Sequence, residues 1–328
     1  MRKLTRLYLT LFILLAVAAV SACGKEASEE DDLTLRVAYN LWVGSAGLFI
    51  AEDKGYFDEA GVQVELVQFA SPTEATQALL SDNVDVALTT LDTAVMVKSN
   101  EKADQELKVF NLTDLSNGAD GIVAEKSIAS VADLKGKTVA ATVGAVNHFL
   151  LDHALRLAGL SESDIKLSNV SPEQTGPLFL TGKVDAAVTW EPYLSEALAK
   201  GGNLLFSTKD APDLIVDGMM TSQAMIEDHE GALRKLVEAI EKGTQYYYSD
   251  TEDAAGIVAK KLETDKEEVK AMMGGVKLIP QTEVQTMMTD KRSDLEQRTA
   301  EYAQFFLDKK LISQKVEAAD LFDTFLFD

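Results

Sequence analysis

The 328-residue sequence is poor in side chains that often carry chemistry, with one cysteine, three histidines and two tryptophans. A single thiol excludes an internal disulfide framework and a structural zinc site built on cysteines. His148 and His153 are five residues apart, so they do not share a helix face as a metal-binding pair at i and i+4 would. We therefore expect no metal site and no cofactor.

Positive charge is also scarce. The chain has 31 Lys and Arg against 53 Asp and Glu, a formal net charge of −22. Removing residues 1–22 takes away three cations and no acid, which leaves −25. This excess argues against nucleic acid or an anionic lipid surface as a partner. The apolar content of 46% is enough for the cores of two ordinary domains.

The glycine-rich and nucleophile motifs of common enzymes are missing. Gly136-Lys137-Thr138 has a valine, Val131, where a phosphate-binding loop needs its first glycine. Neither GxGxxG nor a GxSxG nucleophile elbow occurs. The sequence therefore predicts no enzyme.

The first 23 residues predict export. Three cations precede an apolar run, Leu7 to Val20, that is shorter than the ~20 residues of a membrane-spanning helix. The following Val20-Ser21-Ala22-Cys23 resembles a bacterial lipobox, whose cysteine receives a lipid anchor such as palmitate. We expect a signal peptide over 1–22, lipidation at Cys23 and a flexible acidic tether over 23–32. The alternative is an ordinary signal peptide followed by an incidental cysteine.

An alternation of strands and helices begins near Leu33. LTLRVAY (33–39), VDVALTT (84–90), KTVAATV (137–143) and VDAAVTW (184–190) are predicted strands, separated by segments with helical spacing. This β-α-β order implies parallel strands with crossover helices. VDVALTT and VDAAVTW are near-copies, which suggests two lobes built alike. From Ala224 onward, the chain is predicted to be mainly helical.

Several of these segments together resemble a family of ABC-importer substrate-binding proteins. LWVGSAGLFIAEDKGYFDEAGVQVELV, VDVALTT, ADLKGKTVAATVGAVNHFLL and LTGKVDAAVTWEPYLSEAL follow the pattern of the nitrate/sulfonate/taurine group, to which thiamine-pyrimidine binders are close. The resemblance implies an α/β, two-lobed type II periplasmic-binding-protein fold, each lobe a mostly parallel sheet with helices on both faces. It also implies ABC permease subunits as partners, a monomer, and a location at the outer face of the cytoplasmic membrane or in the periplasm.

The resemblance further places the lobes and the site. Lobe one is expected over 33–120 plus 218–328, and lobe two over 121–217. Because ligands of α/β sheets bind beyond the carboxyl ends of the strands, candidate residues lie at strand ends and crossovers. They are Asn40, Trp42, Gly44, Thr89, Thr90, Asp92, Asn117, Asp120, Asn147, His148, Trp190, Glu191, Tyr193 and Asp217.

The chemistry of these residues leaves the solute open. The candidate loops carry acids and no Arg or Lys, whereas a sulfonate site is expected to offer a guanidinium fork. Helix N-termini can bind anions without cationic side chains. A nitrogen- or sulfur-containing organic solute is therefore the first expectation, and a thiamine-type pyrimidine, amidine or urea-like solute the alternative. An enzyme on the same fold, of pyrimidine-forming or menaquinone-pathway type, and a signalling receptor are further alternatives.

The two tryptophans carry the most specific hypothesis. Trp190 ends a predicted strand beside Glu191 and Pro192, and Trp42 follows the first strand of the other lobe. We expect the two indoles to clamp one ligand between the lobes.

Overall fold

In the computed structural model, the residues described are 33–101 and 105–328. The predicted signal peptide, Cys23 and the tether lie outside them. Within these two ranges, no helix is long and apolar enough to cross a membrane.

Two sheets form the framework of the molecule. The first has the order β11-β4-β10-β3-β1-β2. Its strands are β1 (Thr34–Asn40), β2 (Gln63–Phe69), β3 (Val86–Thr90), β4 (Leu107–Ser116), β10 (Val216–Ser222) and β11 (Val276–Leu278). The second has the order β7-β6-β8-β5-β9. Its strands are β5 (Asp120–Ala124), β6 (Thr138–Ala141), β7 (Lys166–Asn169), β8 (Ala186–Trp190) and β9 (Asn203–Ser207).

The helices connect and cover these strands. They are α1 (Ala46–Asp53), α2 (Tyr56–Ala60), α3 (Pro72–Leu80), α4 (Leu91–Lys98), α5 (Val146–Leu157), α6 (Thr175–Leu180), α7 (Tyr193–Ala199), α8 (Gln223–Ser249), α9 (Thr251–Leu262), α10 (Lys266–Met273), α11 (Gln281–Met288) and α12 (Arg292–Asp308). Local sequence explains the start of α3. At α3, Ser71 Oγ accepts from the amide of Glu74, and the Glu74 carboxylate accepts from the amide of Ala70.

A reversed strand next to forward strands on both sides occurs in each sheet and brings the site together; the edge strand β11 of the first sheet is also reversed. In the first sheet, β10 runs antiparallel to both β3 and β4. In the second, β5 runs antiparallel to both β8 and β9. The carboxyl ends of the forward strands and the amino end of the reversed strand therefore share one edge of each sheet. Functional groups from four or more strands can meet at such an edge.

The chain crosses between the sheets twice. It passes from β4 to β5 through residues 117–119 and returns from β9 to β10 through residues 208–215. The two crossings are tied together, because the amide of Gly118 and the hydroxyl of Ser116 bond Thr208 Oγ1 at 2.7 and 2.8 Å. The predicted lobe limits lie within two residues of the first residues of β5 and β10 and stay a prediction.

The last long helix packs against elements of both sheets. Tyr302 of α12 donates to the carbonyl of Leu214 in the second crossing at 2.6 Å. Its ring meets Phe149 of α5 edge-on at 4.8 Å. Lys309, just beyond α12, lies 2.6 Å from the Glu162 carboxylate and 2.9 Å from the Asp152 carboxylate.

Candidate functional site

A pocket of about 610 Å³, counting its open mouth, lies between the two sheet edges at which the carboxyl ends of the forward strands are found. Both sheets supply its walls, and Ile215 of the second crossing also lines it. The lining residues are Asn40, Trp42, Ser45, Pro72, Thr73, Leu88, Thr89, Thr90, Thr93, Thr113, Asp114, Asp120, Ala145, Val146, Asn147, Pro172, Trp190, Ile215 and Asp217.

Trp42 forms one wall, and its indole is fixed by a carboxylate. Its Nε1–H donates to Asp114 Oδ2 at 3.1 Å, and the side chain is only 7% exposed. The neighbouring Gly44 makes this possible, because a Cβ on Gly44 would lie 2.1 Å from the indole nitrogen and 2.4 Å from the carboxylate oxygen. Gly44 therefore leaves the space in which the Trp42–Asp114 pair sits.

Three carboxylates line the pocket. Asp114 is near the end of β4 and Asp217 is opposite it in β10, where Asp217 also faces Thr90 of β3. Asp120 begins β5 and faces Trp190 of β8 in the other sheet. Among the described residues that line this pocket, there is no Lys, Arg or His.

Burial raises the pKa of each of these acids. The pKa of Asp114 rises to about 7, chiefly because the group loses its hydration. Burial, with the nearby charges of Asp114, Glu191 and Asp92, raises the pKa of Asp120 to about 7 as well. The pKa of Asp217 is raised well above its ordinary value by burial and then by the charge of Asp114. Asp92, beside the pocket in the first turn of α4, has a pKa raised to about 6 by burial.

Two buried side-chain acceptor atoms in the lining have no hydrogen-bond partner among the described residues: Asn147 Oδ1 and Asp217 Oδ1. Asn147 is 3% exposed, and its Nδ2 donates to the carbonyl of Val188 at 3.3 Å. Buried acceptors without a donor are costly. The pocket therefore offers acceptors that a bound molecule with N–H or O–H groups would satisfy.

The second sheet contributes an apolar wall and a helix start. Trp190 is 7% exposed and meets Tyr193 edge-on at 6.5 Å. Ala145, Val146 and Asn147 form the start of α5, which has no side-chain cap. The wall facing Asp114 and Asp217 is thus mainly aromatic and aliphatic, with amide groups at one end.

Eight of the fourteen predicted residues line the pocket: Asn40, Trp42, Thr89, Thr90, Asp120, Asn147, Trp190 and Asp217. The structure places the others around it. Gly44 leaves space for Trp42, and Asp92 lies in the first turn of α4. Glu191 accepts from the amide and hydroxyl of Ser195 at the start of α7, where Tyr193 also lies. Asn117 lies in the first crossing, where its amide donates to the carbonyl of Gly275.

His148 faces away from the pocket toward α12. It is 2% exposed, its Nε2 is 2.9 Å from Glu162 Oε2, and its ring meets Phe305 at 5.0 Å. Its Nδ1 accepts from the amide of Gly144 at 3.3 Å. The structure thus does not bring His148 together with the lining residues, since α5 turns consecutive side chains to different faces.

Sequence reasoning missed Asp114, the acid that holds Trp42. Asp114 lies near the carboxyl end of β4, which continues to Ser116. Leu112 and Leu115 are three residues apart, so no period-two alternation marks Asp114 in the sequence. The hydroxyl-bearing Ser45, Thr73, Thr93 and Thr113 and the apolar Pro72, Leu88, Ala145, Val146, Pro172 and Ile215 were also missed.

Comparison with known proteins places this geometry in a family. The profile described as "NMT1/THI5 like" matches residues 42–254, about two thirds of the chain. The chain belongs to the NMT1/THI5-like family. That span includes every predicted lining residue except Asn40, and the predicted family resemblance is confirmed.

Curated relatives and solved structures agree on this NMT1/THI5-like fold. The chain is 26% identical to a putative aliphatic sulfonates-binding protein of Bacillus subtilis, over 95% of this chain and 94% of the relative. It is 27% identical to one of Escherichia coli, over 97% and 95%. The crystal structure of the aliphatic sulphonate binding protein SsuA from Escherichia coli has a TM-score of 0.73 at 22% identity, covering 89% of this chain and 92% of that one. The predicted two-lobed α/β fold is confirmed.

Two further structures broaden the comparison. SsuA from Xanthomonas axonopodis pv. citri, bound to MOPS, has a TM-score of 0.75 at 19% identity and covers 87% of this chain and 96% of that one. The desulfurization enzyme DSZB has a TM-score of 0.66 at 16% identity and covers 89% and 97%. The same fold therefore hosts both a binding protein and an enzyme, so fold alone does not decide function.

Proposed function

We propose that this protein is the extracytoplasmic solute-binding component of an ABC importer. The observation that supports this most is the pocket lined from both sheets and by Ile215 of the second crossing. A small organic molecule bound there contacts both lobes at once. Relatives over nearly the full length are named as binding proteins.

The arrangement explains how such a protein captures and presents a solute. The crossings are short, so rotation about them changes the distance between the two sheet edges while each sheet stays intact. A solute that contacts Trp42 and Asp114 on one side and Trp190 and Asn147 on the other favours the closed arrangement. A membrane permease can then distinguish the closed, loaded protein from the open one.

The direct test is native mass spectrometry of the mature protein freshly purified from its own host. A co-purified small molecule that leaves on mild activation supports the proposal. The test variant is Asn147→Ala, which lacks one lining group and is expected to carry less of that molecule. Uptake of the identified solute should depend on this gene and on a permease of the ABC type. Unimpaired uptake without the protein would contradict the proposal.

The proposal includes binding without chemical change. The curated relatives that match nearly the whole chain are binding proteins, whereas the enzyme DSZB shares only the fold. The co-purified solute should be recovered intact after prolonged incubation with excess protein. Conversion of the solute would instead support an enzyme on this fold.

The attachment to the membrane is a second part of the proposal. Val20-Ser21-Ala22-Cys23 supports processing before Cys23 and a lipid anchor on its thiol. Metabolic labelling with a fatty-acid analogue should mark the wild type and not Cys23→Ser. Equal labelling of both would contradict the anchor and leave solute binding unaffected.

A further inference from the structure

We propose that the solute carries a protonated nitrogen, and that this cationic end is bound by Asp114, Asp120 and Asp217. This deepens the proposed function and depends on it, because the same pocket is the binding site. The solute class is thus an organic ammonium, amidinium or protonated amino-heterocycle. It differs from the aliphatic sulfonates in the relatives' names.

The first step is the charge of the pocket. Asp114 and Asp120 are 1% and 7% exposed, and both line the pocket with Asp217. Among the described lining residues, none carries a positive charge. Opposed carboxylates with little water around them repel one another. A cation between them stabilises their ionised forms, whereas a sulfonate or nitrate would be repelled by those forms.

The second step is independent of charge and concerns hydrogen-bond donors. Asn147 Oδ1 and Asp217 Oδ1 are buried in the lining without a partner among the described residues. The amide of Asn147 is oriented by its Nδ2 bond to Val188 O, so the oxygen is the end left over. Asn147 Oδ1 can only accept, and Asp217 Oδ1 accepts when its carboxyl is ionised, so both are satisfied by donors. An ammonium or amidinium supplies several N–H groups and no competing acceptor.

The third step is the shape of the walls. Trp42 and Trp190 line the same pocket and are both 7% exposed. The indole N–H of Trp42 is already used on Asp114, so this tryptophan offers the pocket its ring rather than its donor. Indole faces attract cations and stack on flat rings. A planar cation such as an amidinium on a ring satisfies the carboxylates, the free acceptors and the indoles together.

The test uses matched sets of small molecules that differ in charge and little in shape. One set is benzamidinium, benzamide and benzoate; the other is butylammonium, butyramide and butanesulfonate. Thermal shift of the mature protein identifies which of them bind, since a ligand of the folded state raises its melting temperature. Calorimetric titration then gives the affinity of each one that binds.

We expect stabilisation by a cation of at least one set, and none by its neutral or anionic counterpart. Asp217→Asn keeps the shape of the side chain and removes one charge, so it should weaken binding of the cation by at least about tenfold. The matched control is Asp290→Asn, which removes the same charge from an exposed turn between α11 and α12 and should leave the affinity unchanged. Asp114→Asn, which keeps an acceptor for Trp42, is the second variant in case Asp217→Asn does not fold.

Three results would overturn the proposal. They are binding of an anion in preference to its cation, cation binding that Asp217→Asn and Asp114→Asn leave unchanged, and no stabilisation by any cation. Binding of an anion would exclude a cationic solute, but it would still support the proposal that the protein is a solute receptor. The co-purified solute seen by native mass spectrometry tests the proposed function separately.

Discussion

Asp217 lies directly opposite Asp114 in the antiparallel pairing of β10 and β4. Like charges at facing positions of neighbouring strands destabilise a sheet. Here both carboxyls are also removed from water, and the pKa of each is raised by that burial. A sheet edge optimised only for stability would not place two acids there. Their position at the pocket indicates a functional reason.

The ligand-free protein should lose stability as the pH rises from about 4 to about 7. Asp114 and Asp120 have a pKa of about 7 when folded, and an unfolded aspartate has one of about 4. In this range the folded state binds more protons than the unfolded state, so the free energy of unfolding falls with increasing pH. Below pH 4 the trend reverses, because acids whose pKa is lowered, such as Glu252 at about 2, lose their ion pairs there.

Differential scanning calorimetry of the ligand-free protein across this range checks the prediction. The melting temperature should fall by several degrees between pH 4.5 and 7.5, an interval set by the raised pKa values. Asp114→Asn with Asp120→Asn should flatten the slope, whereas the exposed Asp290→Asn should not. A melting temperature that rises steadily with pH in the wild type would show that these carboxyls ionise freely.

Gly44→Ala should abolish solute binding while the fold survives. The added methyl group overlaps the Trp42 indole nitrogen and the Asp114 carboxylate, so the Trp42–Asp114 pair must separate. We expect a loss of about 1–3 kcal/mol in the free energy of unfolding. The matched control is Gly256→Ala in α9, where a Cβ meets nothing within 4 Å and helix propensity improves. Binding by Gly44→Ala at wild-type affinity would mean that the position of Trp42 is unimportant.

The adjacent residues Asn147 and His148 should have opposite roles. Asn147→Ala removes an unpartnered acceptor from the lining and should weaken solute binding by roughly tenfold, while loss of its bond to Val188 O costs about 1 kcal/mol of stability. His148→Gln removes the ring packed on Phe305 and disturbs the contact with Glu162, so it should lower the free energy of unfolding by about 1–2 kcal/mol. Its affinity should stay within about twofold of the wild type. Titration and chemical unfolding of both variants decide the matter, and a reversed pattern would place His148 at the solute.

The strand ends that line the pocket could be predicted where a short apolar, β-rich run ends. VDVALTT and VDAAVTW are β-branched, buried and followed by helices, and Thr89, Thr90 and Trp190 at their ends line the pocket. The parallel order brings these ends to one edge of each sheet. Local sequence patterns are sufficient to predict these strands, because a strand that is buried on both faces forms a continuous apolar run in the sequence.

The reversed strand β10 could not be predicted as a strand in the same way. Its sequence, VDGMMTS, contains Gly218 and an acid and has little β propensity, and it is a strand because it fills the space between β3 and β4. Asp217 was nevertheless expected at the site, from its place at a crossover. Asp114 was missed because its role depends on pairing across three strands, which no local pattern encodes.

Intrinsic fluorescence should report the pocket, because the chain contains only Trp42 and Trp190 and both line it. Alanine at either position would empty a largely buried site and cost about 3–5 kcal/mol. Phenylalanine keeps most of the ring area, so Trp42→Phe and Trp190→Phe are the informative variants, each leaving one emitter.

A cation that stabilises the wild type should shift the emission of both variants and protect both from acrylamide. Trp42→Phe should also weaken binding more than Trp190→Phe, since it removes the donor that positions Asp114. An emission unchanged by a saturating ligand in one variant would show that its remaining tryptophan does not contact the solute, and the clamp would then be wrong.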